Sequence, residues 1–310
     1  MQAIDRTALA GLAVVAAFAA CTPNNAGTTL AVCQKVAVTP ASPLPAWTGS
    51  VFTIVMENKS RREILGSRAA PFINSLVQRG AVAEGYHDAY VHPSEANYLW
   101  MVSGQNFGIL DDDDPREHPL SSSSHLADQL EAAGLTWRAY QESMGAPCGL
   151  RSHGRYAAKH DPFVFFSDIN GWDGQVFQPS ERCTSHIVDY RRLDEDIAHG
   201  TLPRYAFITP NLDDDMHDGS IEDGDAWLAR EVPKILESDA FNTGGVLFLI
   251  VISANAKRGY ASATAYDTSS YLKTVQTNLG LEPLPCSANA ATVATMDDLF
   301  DVPIAAVPRP

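Results

Sequence analysis

Short apolar runs that end on polar residues alternate along this chain with stretches whose apolar residues recur at helical spacing. The strand-like runs are SVFTIVMEN, TWRAYQES and YAFITPNL, and the helix-like stretches are PFINSLVQRG, HLADQLEAAG and GDAWLAREVPKIL. Period-2 runs rich in β-branched residues favour strands, whereas spacings of three and four favour amphipathic helices. Because strands that alternate with helices pack as a mostly parallel sheet with helices on both faces, the pattern predicts an α/β fold.

Length and charge limit the class of partner. The chain has 310 residues, 45% of them apolar, which is enough for one large α/β domain or two small ones. Its formal net charge is −15, and the acidic residues are spread along the chain. We expect no nucleic-acid partner, because phosphate backbones require a basic stripe and none is present. A small phosphate-bearing substrate stays compatible with this charge, since bound metal ions reverse the local field.

The N-terminus has the pattern of a targeting segment. Residues 9–20 form an apolar run of signal-peptide length that ends in small residues before Cys21. The run FAAC resembles a bacterial lipoprotein cleavage site, which would leave Cys21 lipidated and attached to the membrane; the alternative is an ordinary residue in a discarded peptide. We expect a signal peptide over 1–20, a flexible tether over 21–48 and the folded domain over 49–310. The protein would then be extracytoplasmic, either secreted or lipid-anchored to the bacterial cell envelope.

The other cysteines are even in number, which in an exported chain favours two disulfides with three possible connectivities. A Cys148–Cys183 bond would close the loop between these two residues, and a Cys33–Cys286 bond would join the two ends of the domain. The stretch at about 144–190 is rich in Gly, Pro, Asn and aromatic residues. We expect it to be an irregular insertion over the face that carries the site. No CxxC spacing occurs, so a zinc knuckle is not indicated.

Polar residues follow the predicted strands, and ligands of open α/β sheets bind at the carboxyl ends of strands. The first strand finishes at Glu57 and Asn58, and YAFITPNL runs into DDDMHDG, where Asp213 and His217 are four residues apart. Asp225 follows, just before the helical run AWLAREVP. Taken singly, a strand-end Glu is a solvated residue or a cap and the acidic run is a solvated turn. Together they predict a divalent metal site, because a carboxylate and an imidazole on one turn suit such an ion.

The stretch HPSEANYLWMVSG places Ser94 at the start of a helical run that stops at Gly104. Ser94 is either the helix N-cap or a nucleophile at a helix N-terminus, where anions bind. Neither a GxSxG elbow nor an evident base partner accompanies it. Activation of the hydroxyl would therefore come from metal coordination.

The motifs ENKS, HPSEANYLWMVSG, KHDPFVFF, TPNLDDDMHDG and GDAWLAREVPKIL occur in this order over about 50–300. They resemble the bacterial phosphoesterase family of acid phosphatases and phospholipases C. The resemblance implies an alkaline-phosphatase-like three-layer α/β/α sandwich. It also implies an exported, metal-dependent enzyme that hydrolyses phosphomonoesters or phospholipid headgroups through a serine.

The same resemblance assigns roles to residues. Related nucleotide pyrophosphatases place a threonine nucleophile three residues before a phosphate-binding asparagine, positions that Ser94 and Asn97 occupy here, with Ala96 where a proline usually stands. His160 of KHDPF would contact the substrate or protonate the leaving group; alternatively it is a structural histidine. The Asp-x-x-x-His metal ligands of those relatives match Asp213 and His217. The implied set of metal ligands is Glu57, Asn58, Asp213, His217, Asp225 and Asp267.

The chain departs from the family after the last helix. There the family has a strand that ends in Thr-Trp-Asp-Glu, whose acids bind metal, but here Leu249 runs directly into Ile250 in GGVLFLIVIS. Before SSYLKTVQ, where a histidine ligand is usual, stands Asp267. We expect this run to form one strand and the sheet to lose a strand or expose an edge. The alternative function is a non-catalytic surface lipoprotein that keeps the fold and binds a phosphorylated ligand or metal.

Overall fold

The computed structural model describes residues 49–89, 91–121, 124–238, 250–253, 255–284 and 292–301. The predicted signal peptide and tether lie outside these residues, as do Cys21, Cys33 and Cys286. In the described ranges, no helix has the length and apolar character that crossing a membrane requires.

In chain order the strands are β1 Val51–Ile54, β2 Ala81–Ala83, β3 Trp137–Gln141, β4 Ile187–Asp189, β5 Tyr205–Thr209, β6 Ile250–Val251 and β7 Tyr260–Ser262. The α-helices are α1 Arg61–Ile64, α2 Pro71–Arg79, α3 Ser94–Ser103, α4 Leu126–Ala132, α5 Ser167–Asn170, α6 Glu181–His186, α7 Arg192–His199, α8 Ile221–Leu236 and α9 Thr268–Asn278. Single 3-10 turns cover Ala158–His160, Pro162–Phe165 and Asp297–Leu299. The helices and strands predicted from PFINSLVQRG, HLADQLEAAG, TWRAYQES and YAFITPNL are all present.

A four-stranded sheet in the order β1-β5-β3-β4 forms the centre, and all of its pairs are parallel. Every residue of β5 is buried, as both faces of a parallel sheet require. Successive strand residues point to opposite faces. Tyr205 and Phe207 pack with the apolar residues of α3, α4 and α9. Ala206 and Ile208 pack with those of α2, α7 and α8, so the α/β/α sandwich has three layers.

A second sheet has the order β6-β2-β7, in which β2 runs antiparallel to β6 and parallel to β7. Among the described residues no ladder joins the two sheets, and β1 is an edge strand. A cavity of about 140 Å³ is lined by Ile54 of β1, Val82 of β2 and Ile250 of β6, with apolar side chains of α2. The expected loss of a strand beside Ile250 stays a prediction, because the residues before Ile250 are not among those described. Residues 239–249, with the Leu249 side of the junction, lie outside the described ranges.

The stretch 144–190 is more regular than expected. It contains two 3-10 turns, α5 and α6, and it ends in β4. β4 pairs in parallel with β3, so this end of the stretch belongs to the central sheet rather than to an insertion. The β-branched Ile187 and Val188 explain the strand, because such side chains fit a pleated, buried surface. The Cys148–Cys183 disulfide is present, with the two Cα atoms 5.4 Å apart.

Candidate active site

The site begins where β1 and β5 end. These strands are parallel neighbours, so their carboxyl ends lie at the same edge of the sheet. Val55 N–H continues the pairing by donating to Ile208 O over 3.1 Å, and Glu57 N–H then donates to Asp215 O over 2.7 Å. The loop after β1 and the loop after β5 are thus held against each other.

Ser94 is the first residue of α3, and its hydroxyl donates to Glu57 Oε2 over 3.0 Å. The N-cap position belongs to Pro93, and no side chain caps this helix start. The interpretation of Ser94 as the helix N-cap is therefore wrong. Its hydroxyl lies at the amino end of a ten-residue helix, where free N–H groups favour an anion.

Glu57, His160 and His217 form a cluster in which one ligating atom from each lies within 4.8 Å of the others. His160 Nε2 is 3.5 Å from Glu57 Oε1, and the His160 and His217 ring centroids are 5.5 Å apart. The His160 side chain is only 1% exposed, and its ring stacks on Tyr98 at a centroid distance of 4.8 Å. Within the described ranges, neither ring nitrogen of His160 makes a hydrogen bond of good geometry.

This cluster fits a divalent metal ion. Buried polar atoms are nearly always paired, so the unsatisfied imidazole nitrogens of His160 fit a site that binds a cation. One carboxylate and two imidazoles are ligands that Zn²⁺ and similar ions accept. Glu57, His160 and His217 are therefore the residues that would hold the ion.

Asp215, rather than Asp213, faces the cluster. Its side chain is fully buried; Oδ1 accepts the backbone N–H of His217 over 2.7 Å, and Oδ2 lies 3.2 Å from His160 Nδ1. Asp213 is 43% exposed and pairs with Arg155, whose Nε lies 2.8 Å from Asp213 Oδ2. The structure thus places Asp215, not the Asp213 chosen from the four-residue spacing, against the two histidines, since Asp213 pairs with Arg155.

Tyr98 is a second site residue that the sequence did not reveal. Its ring is 2% exposed and lies against His160. Burial, followed by the charges of Glu57 and Asp215, raises the pKa of Tyr98 well above its ordinary value. The phenol therefore stays protonated beside two carboxylates. The helical spacing of Ser94 and Tyr98, four residues apart on α3, is the signal that would have placed Tyr98 on the same side.

Asn97 and Asn58 occupy less direct positions. The Asn97 side-chain amide donates to Val91 O, and its oxygen accepts the Ala89 N–H over 3.2 Å. Asn97 therefore fixes the loop that leads into α3. Asn58 is exposed and adopts a φ of +53°, a left-handed conformation that asparagine tolerates.

Asp225 and Asp267 do not join the cluster, because each serves a helix start. α8 begins earlier than expected, with Ser220 as its N-cap in a capping box, so Asp225 lies inside the helix rather than before it. Its two oxygens accept the N–H groups of Phe72 and Ile73 over 3.0 and 2.8 Å, at the first turn of α2. Asp267 is the N-cap of α9 and accepts the Ser270 N–H over 2.8 Å. Free N–H groups at helix starts attract carboxylates in this way.

Sequence comparison identifies the family. The model of the Phosphoesterase family matches residues 47–246, well over half of the chain. The chain belongs to the Phosphoesterase family. This match includes Glu57, Ser94, His160 and His217, and it ends before Leu249 and Ile250 meet.

Two relatives illustrate the similarity within this family. It is 37% identical over 194 residues to a phosphatidylinositol-3-phosphatase of Mycobacterium tuberculosis, covering 62% of this chain and 59% of the relative. It is 28% identical over 260 residues to a probable acid phosphatase of Kluyveromyces lactis, covering 75% of this chain and 58% of the relative. The chain thus spans less than two-thirds of the length of both relatives.

The fold agrees with this membership. A phosphonate monoester hydrolase from Silicibacter pomeroyi superposes with a TM-score of 0.51 at 10% identity, covering 82% of this chain and 77% of the hydrolase. At such low identity the similarity concerns the fold alone. The predicted α/β architecture, with a parallel central sheet between helices, is confirmed.

Proposed function

We propose that this chain is a metal-dependent phosphoesterase that hydrolyses phosphomonoesters or phospholipid headgroups with Ser94 as the nucleophile. The observation that carries the proposal is the 3.0 Å hydrogen bond from Ser94 Oγ to Glu57 Oε2, beside the imidazoles of His160 and His217. Membership of the Phosphoesterase family supports it, as do relatives named phosphatases.

The two oxygens of Glu57 have separate tasks. Oε2 accepts the Ser94 hydroxyl proton, and Oε1 faces His160 at 3.5 Å. As Ser94 Oγ forms its bond to phosphorus, the hydroxyl proton moves to Glu57 Oε2. The bond from phosphorus to the leaving oxygen breaks, and that oxygen takes a proton from solvent. A water molecule then attacks the phosphorus of the phosphoserine and loses a proton to solvent. The bond from phosphorus to Ser94 Oγ breaks, Oγ takes back the proton from Glu57 Oε2, and inorganic phosphate is released.

A divalent ion at Glu57, His160 and His217 would supply positive charge to the serine alkoxide and the phosphoryl oxygens. Asp215 supports the cluster, because its Oδ1 accepts the backbone N–H of His217 and its Oδ2 lies 3.2 Å from His160 Nδ1. A carboxylate beside a ligating imidazole orients the ring. Tyr98, protonated and stacked on His160, fixes the plane of that ring.

We further propose that the protein acts outside the cytoplasm. The apolar run over 9–20 and the FAAC sequence before Cys21 support export, with membrane attachment through a lipidated Cys21. Mass spectrometry of the protein recovered from the membrane fraction would detect a diacylglyceryl group on Cys21. Recovery of an unprocessed chain from the cytoplasm would contradict both parts of this proposal.

The decisive experiment is hydrolysis of a chromogenic phosphomonoester and of a phosphoinositide in vesicles by the purified chain, with metal analysis of the same sample. Ser94→Ala should lose turnover of both substrates. Ser75→Ala, which removes an exposed serine hydroxyl from α2, should retain it. Metal or phosphate binding without turnover in the unmodified protein would instead favour the non-catalytic lipoprotein.

A further inference from the structure

A second group of metal-ligating side chains lies one residue beyond Ser94, on the other side of the first turn of α3. The His118 imidazole stands between two carboxylates, with Nδ1 2.9 Å from Glu95 Oε1 and Nε2 3.2 Å from Asp111 Oδ1. One ligating atom from each of the three residues lies within 4.8 Å of the others. None of these residues belongs to the Glu57 cluster.

The Glu95 carboxylate is the unusual member of this group. Its side chain is 0% exposed, and in the described part of the chain Oε2 has no hydrogen-bond partner. A buried carboxylate oxygen without a partner is costly, so such atoms are paired with donors or cations. His118 and Asp111 are 18% and 57% exposed, which leaves an approach from solvent.

Two basic side chains, Arg116 and Lys159, have their closest contacts with groups other than Glu95. Arg116 lies over the rings of Trp172 and Phe177, with its Cζ atom 5.6 and 5.4 Å from the two ring centroids. Lys159 pairs with Asp112 at 2.7 Å. Among the described side chains, His118 is thus the group that ion-pairs with Glu95.

The acidic loop 111–114 adds negative charge next to Glu95, which favours binding of a cation. Asp112 Oδ1 accepts the Glu95 N–H over 3.0 Å, which holds the loop against the start of α3. Asp111, Asp112 and Asp113 follow one another in this loop and add negative charge near Glu95.

We propose that Glu95, Asp111 and His118 form a second divalent-cation site, separate from the catalytic cluster. Two carboxylates and one imidazole suit a first-row ion such as Zn²⁺ or Mn²⁺ better than Ca²⁺, because imidazole is a poor ligand for Ca²⁺. The site ties loop 111–114 to the residue after Ser94. The bound ion would fix the first turn of α3. This proposal does not depend on whether Ser94 is a nucleophile.

The test is Zn²⁺ binding to the full chain, measured by calorimetry and by metal analysis after desalting. In a Glu57→Gln/His217→Ala background, which weakens the first cluster, Zn²⁺ should still bind with a stoichiometry of about one. Adding Asp111→Asn should remove this binding. Adding Asp113→Asn, a neighbouring exposed acid with the same change of charge, should leave it intact.

Two outcomes overturn the site: absence of Zn²⁺ binding in the Glu57→Gln/His217→Ala background, or equal binding by the Asp111→Asn and Asp113→Asn variants. Either would show a histidine-bridged ion pair rather than a metal site. If the background variant unfolds, the same comparison in the otherwise unmodified chain serves, where Asp111→Asn should lower the Zn²⁺ stoichiometry by one. The readout is binding, so its failure is distinct from loss of phosphoester hydrolysis.

Discussion

The Ser94 hydroxyl donates to Glu57 Oε2 over 3.0 Å, across 37 residues of sequence. This bond joins the loop after β1 to the first residue of α3. Because Pro93 is the N-cap residue, the Ser94 hydroxyl does not cap the start of the helix. Ser94 is therefore held by the sheet edge and the helix start together.

Replacement of Ser94 should cost little stability. Ser94→Ala removes no capping bond, so the free energy of unfolding in urea should fall by less than about 0.5 kcal/mol. Ser220→Ala is the matched comparison, because the Ser220 hydroxyl accepts the Asp223 N–H at the start of α8. That variant should lose about 1 kcal/mol. Equal losses in the two variants would mean that Ser94 also supports its helix.

The two aspartates of the acidic run should behave differently. Asp215→Asn should lower metal content and hydrolysis about 10- to 100-fold, because supporting carboxylates orient the ligands they contact. Asp213→Asn should change hydrolysis less than about threefold, since it removes a surface ion pair with Arg155. Steady-state kinetics and metal analysis of both variants decide this. A larger loss in Asp213→Asn would restore the assignment made from the sequence.

Asp225 should matter for folding and not for metal binding. Asp225→Asn weakens the bonds to the Phe72 and Ile73 N–H groups, so the free energy of unfolding should fall by about 1–3 kcal/mol. Glu222→Gln, an exposed acid on the same helix, is the control and should be neutral. A drop in bound metal per folded Asp225→Asn chain would show instead that this carboxylate reaches the site.

Glu142 should make stability fall as pH rises through neutrality. Its oxygens accept the Asn211 N–H and the Trp227 Nε1–H over 2.9 and 3.1 Å. Burial, with the nearby charge of Asp214, raises the pKa of Glu142 from 4.5 to about 7. Between these values the folded state holds a proton that the unfolded state has lost, so the free energy of unfolding decreases with rising pH.

Glu142→Gln should remove that part of the pH dependence. Urea unfolding between pH 4.5 and pH 8 should give a flatter profile for Glu142→Gln than for the unmodified chain, with the difference largest near pH 5 to 7. Parallel profiles across this range would show that Glu142 does not hold a proton in the folded state.

The sequence by itself determined the order of strands and helices and the edge at which the site lies. Alternating apolar runs specified β1, β3 and β5, and parallel pairing necessarily puts the residues after β1 and β5 at one edge. Glu57 and His217 therefore came together as predicted, with Ser94 at a helix start. These results depend on local periodicity and on a rule of sheet geometry, both of which are readable without coordinates.

The directions of side chains within the turns depended on the tertiary structure alone. In the loop after β5, Asn211 Oδ1 accepts the N–H groups of Asp213 and Asp214, and this turn buries Asp215 while Asp213 reaches Arg155. Spacing along the chain carries no information about such bonds. Asp225 was likewise taken by the free N–H groups of α2, about 150 residues away in sequence. A carboxylate forms hydrogen bonds with the unpaired donors that the fold brings near it. Which donors these are depends on tertiary packing.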